Sequence, residues 1–143
     1  MVSKPGVLVA KLDVKFKAST LEFLCCRVTL AATNTIFVTI YRPGSQPADN
    51  TFFKEFSRLC ELLATYVAPV TITGDINIHF ERTTDIDTCW LKEALTSFGF
   101  DQFVRLPTHE LGGILDVVIA PRDHQPEDII VDDVGLSNHM LVS

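Results

Sequence analysis

The stretch Thr73-Gly74-Asp75-Ile76-Asn77-Ile78-His79 sets a carboxylate and a carboxamide two residues apart at the end of an apolar run. Side chains alternate faces along a strand, so Asp75 and Asn77 leave on one side while Ile76 and Ile78 point the other way. Two oxygen-bearing groups fixed at a strand end suit a hard metal ion, an activated water or a phosphate oxygen. Standing alone, a Gly-Asp-x-Asn tetrad reads first as a turn that begins at Gly74. What accompanies it downstream decides.

Asp116 lies inside Gly112-Gly113-Ile114-Leu115-Asp116-Val117-Val118-Ile119. An unpaired charge in so apolar a strand costs several kcal/mol, so the carboxylate needs a partner or a strand end open to solvent. The candidate partner is His139, in Leu136-Ser137-Asn138-His139. An imidazole held at one nitrogen by a carboxylate has a fixed tautomer and presents its other nitrogen to a reacting group. Tyr41, ahead of Arg42-Pro43, is either a core aromatic with a hydrated hydroxyl or a donor to a phosphate oxygen. Thr108, in Leu106-Pro107-Thr108-His109, can bond nearby backbone or a site carboxylate, whereas His79, His109 and His124 read as surface or loop residues.

The elements that must position these groups follow from pattern. Residues 21–30 and 35–41 are apolar and β-branched, and residues 31–34 join them at hairpin length. Pro43 and Pro47 end the second strand. A helix follows, capped by Asp49 or Asn50, with Phe52, Phe56, Leu59 and Leu63 as its buried stripe. Pro69 separates it from a strand over residues 70–75, so strand, helix and strand form a crossover unit of an α/β layered fold. A second helix spans residues 87–98 and stops at Gly99. Short strands at 100–104, 114–120 and 129–132, and one beginning at Met140, close the chain. The opening residues 1–10 read as a strand and make a poor signal peptide.

At 143 residues, 47% hydrophobic and 21% charged, the chain fits one globular domain with a real core. No run approaches the ~18 apolar residues of a membrane helix. Cys25, Cys26, Cys60 and Cys89 form no CxxC pair and sit among apolar neighbours, which suits buried free thiols in a reducing compartment. The expected location is intracellular, nuclear or cytoplasmic, and not secreted. A net charge of −6 argues against capturing nucleic acid by charge alone. It is compatible with a metal-dependent phosphodiesterase, whose site needs carboxylates and whose cation reverses the local field.

Taken in order, Ile40-Tyr41-Arg42-Pro43-Gly44, Gly74-Asp75-Ile76-Asn77, Pro107-Thr108 through Gly112-Gly113-Ile114-Leu115-Asp116, and Ser137-Asn138-His139 resemble the endonuclease/exonuclease/phosphatase superfamily. The resemblance is greatest to the apurinic-type endonuclease domains of non-LTR (LINE-like) retrotransposons, and it runs from about Pro5 to the end. It implies a four-layer α/β sandwich of the DNase I-like type, two mixed sheets flanked by helices, that cuts phosphodiester or phosphomonoester bonds with Mg²⁺ (or Mn²⁺). By this resemblance Asp75 would position the attacking water with Asn77 alongside. Tyr41, with Thr108, would hold the phosphate, Asp116 would orient His139, and His139 would stabilise charge on the scissile phosphate. The metal would sit at Asp75 and Asn138. DNA would be the partner, with a reverse transcriptase domain in the parent element. The Tyr-Arg-Pro-Gly and Leu-Gly-Gly-x-Leu-Asp wording favours DNA over a sphingolipid or inositol phosphate.

Two departures from the family pattern shape the expected activity. Asn138 stands where the family's Ser-Asp-His motif has its aspartate, and one neutral amide oxygen attracts a hard dication less than a carboxylate does. The family's early Asn and its metal-ligand Glu have no counterpart, since Leu21-Glu22-Phe23-Leu24 does not resemble that motif. The expectation is a partial, N-terminally truncated domain over residues 1–143, with one sheet incomplete and an apolar face left open. Such a chain would be a weak or inactive endonuclease or, alternatively, a non-catalytic remnant acting as an interaction module.

Overall fold

The computed structural model describes residues 6–143, so the first five residues of the expected opening strand lie outside it. A six-stranded mixed sheet carries the molecule, with strand order β1-β2-β3-β4-β6-β5. Its strands are β1 (Val7–Leu12), β2 (Glu22–Leu30), β3 (Thr33–Tyr41), β4 (Val70–Asp75), β5 (Phe100–Gln102) and β6 (Asp116–Pro121). Helices α1 (Asn50–Leu63) and α2 (Ile86–Ser97) precede and follow β4. A separate two-stranded sheet pairs β7 (Val131–Asp132) with β8 (Leu141–Val142). The expected α/β layering is present, with two sheets very unequal in size among the described residues.

The sheet is sided by simple alternation. Ile36, Val38 and Ile40 of β3, Val70 and Ile72 of β4, and Val117 and Ile119 of β6 turn to one face and are all buried. Against them pack Phe52, Phe56, Leu59, Cys60 and Leu63 of α1 with Leu91 and Leu95 of α2, forming one continuous core. The opposite face is open. Leu24, Phe37 and Tyr41 there are 47%, 42% and 46% exposed, far more than large apolar groups inside a finished sandwich.

Most element boundaries fall near their expected places, and the shifts have local causes. Asp49 caps α1 by accepting the Phe52 amide proton at 2.9 Å. The β2–β3 hairpin turns on Ala31 and Ala32 alone, with φ of 47° and 66°, so β3 starts at Thr33. Two-residue hairpin turns of this hand match strand twist but usually take Asn or Gly, which explains why sequence pattern suggested a longer connection. β5 stops at Gln102 because its side chain accepts from Val104 N and donates to Val104 O, curling the chain off the ladder. β6 begins at Asp116, since Leu115 O and Ile114 O accept instead from Ile76 N and Phe80 N of the segment after β4.

Gly74 is fixed by its neighbour. With φ of 138° it lies opposite Ile40, and an added Cβ would sit 1.9 Å from the Ile40 carbonyl oxygen. Backbone of a paired strand cannot yield that space. Gly74→Ala should therefore destabilise the domain by about 2–5 kcal/mol, from combined strain and overpacking. Urea unfolding followed by circular dichroism measures the change, and an unchanged midpoint would contradict the close approach.

Candidate active site

Strand register gathers the acidic groups. Tyr41, Asp75 and Asp116 lie side by side on β3, β4 and β6, at one end of the sheet and on its open face. β4 runs parallel to β3 and antiparallel to β6, so Asp75 ends its strand where Asp116 begins the next. His139 reaches them from the chain's last segment, which docks through Met140 N to Thr108 O at 2.7 Å and Glu110 N to Asn138 O at 2.9 Å. The His139 Nδ1 lies 2.8 Å from Asp116 Oδ2, and its Nε2 lies 3.7 Å from Asp75 Oδ2. A carboxylate only accepts, so Nδ1–H donates to Asp116 and Nε2 faces Asp75. Candidate ligand atoms of Asp75, Asp116 and His139 all lie within 4.8 Å of one another. Their side chains are 19%, 20% and 34% exposed, so the cluster is open on one side.

A backbone net holds the two carboxylates in place. Thr108 is fully buried, and its Oγ1 accepts from Leu115 N at 3.0 Å and Asp116 N at 3.1 Å. Thr108 is therefore a strut beneath Asp116 and not the substrate contact the resemblance implied: burial and two backbone donors leave its oxygen out of reach of the open face. Asn77 takes φ of 50°, donates its amide proton to Asp75 Oδ1 at 2.9 Å and gives its Nδ2 proton to Arg42 O at 2.7 Å. Its carboxamide thus ties the Tyr41–Gly44 loop beside Asp75, and although β4 ends at Asp75, Ile76 and Ile78 are buried while Asp75 and Asn77 stay half-buried. Asn138 is exposed, and its carbonyl accepts from Glu110.

Arg42 escaped the sequence reading. It is 5% exposed, and its guanidinium donates to Ile76 O at 2.7 Å, Asn77 O at 2.8 Å and Gln46 O at 2.7 Å while lying over the Phe52 ring. Burial lowers its pKa, with Asp87 and Asp75 opposing that loss of charge. An arginine ahead of Pro-Gly at a strand end was the available signal. His109 also belongs here and not on the plain surface: its ring meets His139 edge-on at 5.0 Å.

Titration of the cluster follows from this crowding. Burial raises the Asp75 carboxyl, the Asp116 charge adds to that, and the bonds from Asn77 and the charge of His139 work against it. His139 is raised first by its hydrogen bond to Asp116, against desolvation, with the charges of Asp116 and Asp75 assisting.

No family model matches the chain, and no curated protein matches its sequence. Solved structures do match. The endonuclease domain of TRAS1, a telomere-specific non-LTR retrotransposon, superposes with a TM-score of 0.70 at 16% identity over 96% of this chain and 76% of that domain. The 3′ phosphatase NExo from Neisseria, bound to a product DNA hairpin, gives 0.60 at 13% identity over 96% and 78%. An endonuclease/exonuclease/phosphatase family protein from Leptotrichia buccalis gives 0.58 at 10% identity over 96% and 70%. The chain has the endonuclease/exonuclease/phosphatase fold. That agrees with the sequence resemblance, and the matched proteins are endonuclease- and phosphatase-type enzymes.

A raised histidine favours folding while it is protonated. The His139 contribution is full below the unfolded value of about 6.5 and is lost as pH rises through the higher folded value. Asp75, also raised, adds to the same trend at lower pH. In metal-free buffer the His139 ring should titrate above 6.5 by NMR. Asp116→Asn should bring it down, and His139→Gln should flatten the fall in melting temperature between neutral and alkaline pH. A His139 titration unmoved by Asp116→Asn would refute the pairing.

Proposed function

We propose that this chain is a metal-dependent phosphodiesterase domain that nicks DNA, with weak turnover. The observation that carries this reading is the Asp116–His139–Asp75 line, 2.8 Å on one side of the ring and 3.7 Å on the other, open at a strand end. His139, held by Asp116, presents Nε2 toward the open face, where as imidazolium it donates to a non-bridging phosphate oxygen and steadies charge as the phosphorus centre becomes more crowded. Asp75 accepts a proton from the attacking water or fixes its orientation. Tyr41, half exposed beside Asp75, gives its hydroxyl proton to another phosphate oxygen.

The donor set suits a hard dication. Two carboxylates meet on paired strands, their mutual repulsion helps raise Asp75, and oxygen ligands fit Mg²⁺ or Mn²⁺. Asp75 and Asp116 would hold it, with Asn138 supplying a weaker oxygen nearby. When bound, such an ion neutralises phosphate charge and lowers the pKa of water. Among the described residues no glutamate joins the group, so anchoring rests on few charges. DNA as substrate is supported by the likeness to the TRAS1 endonuclease domain and to NExo bound to its DNA hairpin. A second reading, a non-catalytic interaction module, is favoured by the exposed Leu24, Phe37 and Tyr41 face.

Nicking of supercoiled plasmid separates the two. Mg²⁺- or Mn²⁺-dependent conversion to open circles, abolished by EDTA and lowered about 100-fold or more in Asp75→Ala and His139→Ala, is the expected result. Nicking that survives both substitutions would remove the proposed site from the chemistry. Asn138→Asp alone should leave turnover weak, because one added carboxylate does not replace a missing glutamate ligand. Vigorous turnover by that variant would show that the existing cluster needs only one further charge.

A further inference from the structure

The charge of this chain is divided unevenly. Residues 11–27 hold four of its twelve lysines and arginines and two of its eighteen acidic residues, a net of +2. Residues 28–143 hold seven cations and sixteen anions, a net of −9. Three of the four cations of the first stretch line one groove, while Arg27 lies outside it. Lys11, Lys15 and Lys17 are exposed and line a groove of about 680 Å³ at the β1–β2 edge, with Asp13 and Glu22 as its acidic members.

The groove is built and not a loose loop. Both oxygens of Glu55 on α1 grip the segment between β1 and β2: Ser19 N donates at 2.9 Å, Ser19 Oγ at 2.8 Å and Thr20 N at 2.9 Å, with Thr20 Oγ1 closing the set. Burial opposes the Glu55 charge, but the hydrogen bonds from Thr20 and Ser19 outweigh it and bring the carboxyl down to about 2. Phe16 stacks on Phe23 at 6.0 Å and sets the loop against the sheet edge. The lysines therefore sit on a fixed support.

Its place relative to the carboxylates follows from register. Glu22 pairs with Tyr41, and Tyr41 with Asp75, so β2 starts at the sheet end where the cluster lies. Two strand spacings of ~4.8 Å separate Glu22 from Asp75, roughly 10 Å, or about three base steps along one DNA strand. A polyanion seated at Asp75 thus has within reach a groove whose three lysines outnumber its two acidic residues.

We propose that the Lys11–Lys15–Lys17 groove is a binding site for the phosphate backbone of duplex DNA, holding the segment that flanks the scissile bond. This rests on the phosphodiesterase reading for its choice of ligand, yet it concerns binding and not cleavage. The groove supplies the electrostatic contact that the chain's overall charge denies it. Each phosphate neutralised releases condensed counterions, so the contact has a measurable salt signature.

The test is fluorescence anisotropy of a short fluorescein-labelled duplex across a KCl series, with EDTA present so that no cleavage enters. Lys11→Gln/Lys15→Gln/Lys17→Gln should reduce the slope of log K against log salt by about two to three and weaken low-salt binding about tenfold. Glu22→Gln, which removes an anion from the same groove, should tighten binding a few-fold. Lys54→Gln/Arg58→Gln/Arg122→Gln changes total charge equally on other faces and should keep the wild-type slope. No binding by the wild type, an unchanged slope in the groove variant, or an equal loss in the control variant would each overturn the proposal. So would groove-dependent binding to phosphatidylserine vesicles stronger than to DNA. Salt-dependent binding without any metal-dependent nicking would sink the enzymatic reading and leave the groove standing.

Discussion

Two carboxylates face one another across β4 and β6, and the site depends on how that repulsion is relieved. Like charges directly opposite on paired strands are destabilising, and burial makes the cost larger. Burial raises the Asp75 carboxyl, and the Asp116 charge adds to that rise. His139 relieves the conflict by bonding Asp116 through Nδ1 and lying near Asp75 through Nε2. The pair is thus tolerable with a cation between its members, whether imidazolium or metal. That preference for positive charge is the property a phosphate-cutting site needs.

Keeping the carboxylates so close requires a rigid frame. Gly74 lets β3 and β4 approach without a Cβ between them, and Arg42 ties Ile76, Asn77 and Gln46 carbonyls to one buried guanidinium. A buried arginine whose charge is met by backbone oxygens and a Phe52 face is unusual, because ion pairing is the common remedy. Here its planar fork matches several carbonyls at once, which lysine would not do. Thr108 does the equivalent work beneath Asp116. The clustered carboxylates are half-buried groups on a tightly bonded base.

Sequence periodicity was enough for the crossover unit, both helices and the burial of Phe52, Phe56, Leu59 and Leu63, since a helical stripe reports directly on sidedness. Asp116 with His139 was also readable, because a carboxylate in an apolar strand demands a partner. Asn77 lies two residues past the end of β4, and its left-handed φ, which no local pattern signals, lets its amide bond Arg42 O while its backbone N–H bonds Asp75 Oδ1. The Arg42 anchor, the strut position of Thr108 and the His109–His139 contact were out of reach of local pattern for a common reason. Their roles rest on contacts between segments distant in sequence, which no local pattern encodes. The turn at Ala31 and Ala32 was hidden because alanine carries no signal for positive φ.

The location of the site follows from topology as much as from residue type. β4 is flanked by a parallel neighbour on one side and an antiparallel one on the other. The carboxyl ends of β3 and β4 and the amino end of β6 therefore arrive together at one edge of the sheet. Open α/β sheets bind ligands outside such carboxyl ends, where strand connections diverge and leave a crevice. Tyr41, Asp75 and Asp116 need no long loops to meet there, because the hydrogen-bond ladder itself aligns them. His139 alone comes from afar, delivered by the Thr108–Met140 and Glu110–Asn138 backbone bonds. A change that loosened that docking would separate the imidazole from both carboxylates while leaving the six-stranded sheet intact, so the cluster is more fragile than the fold.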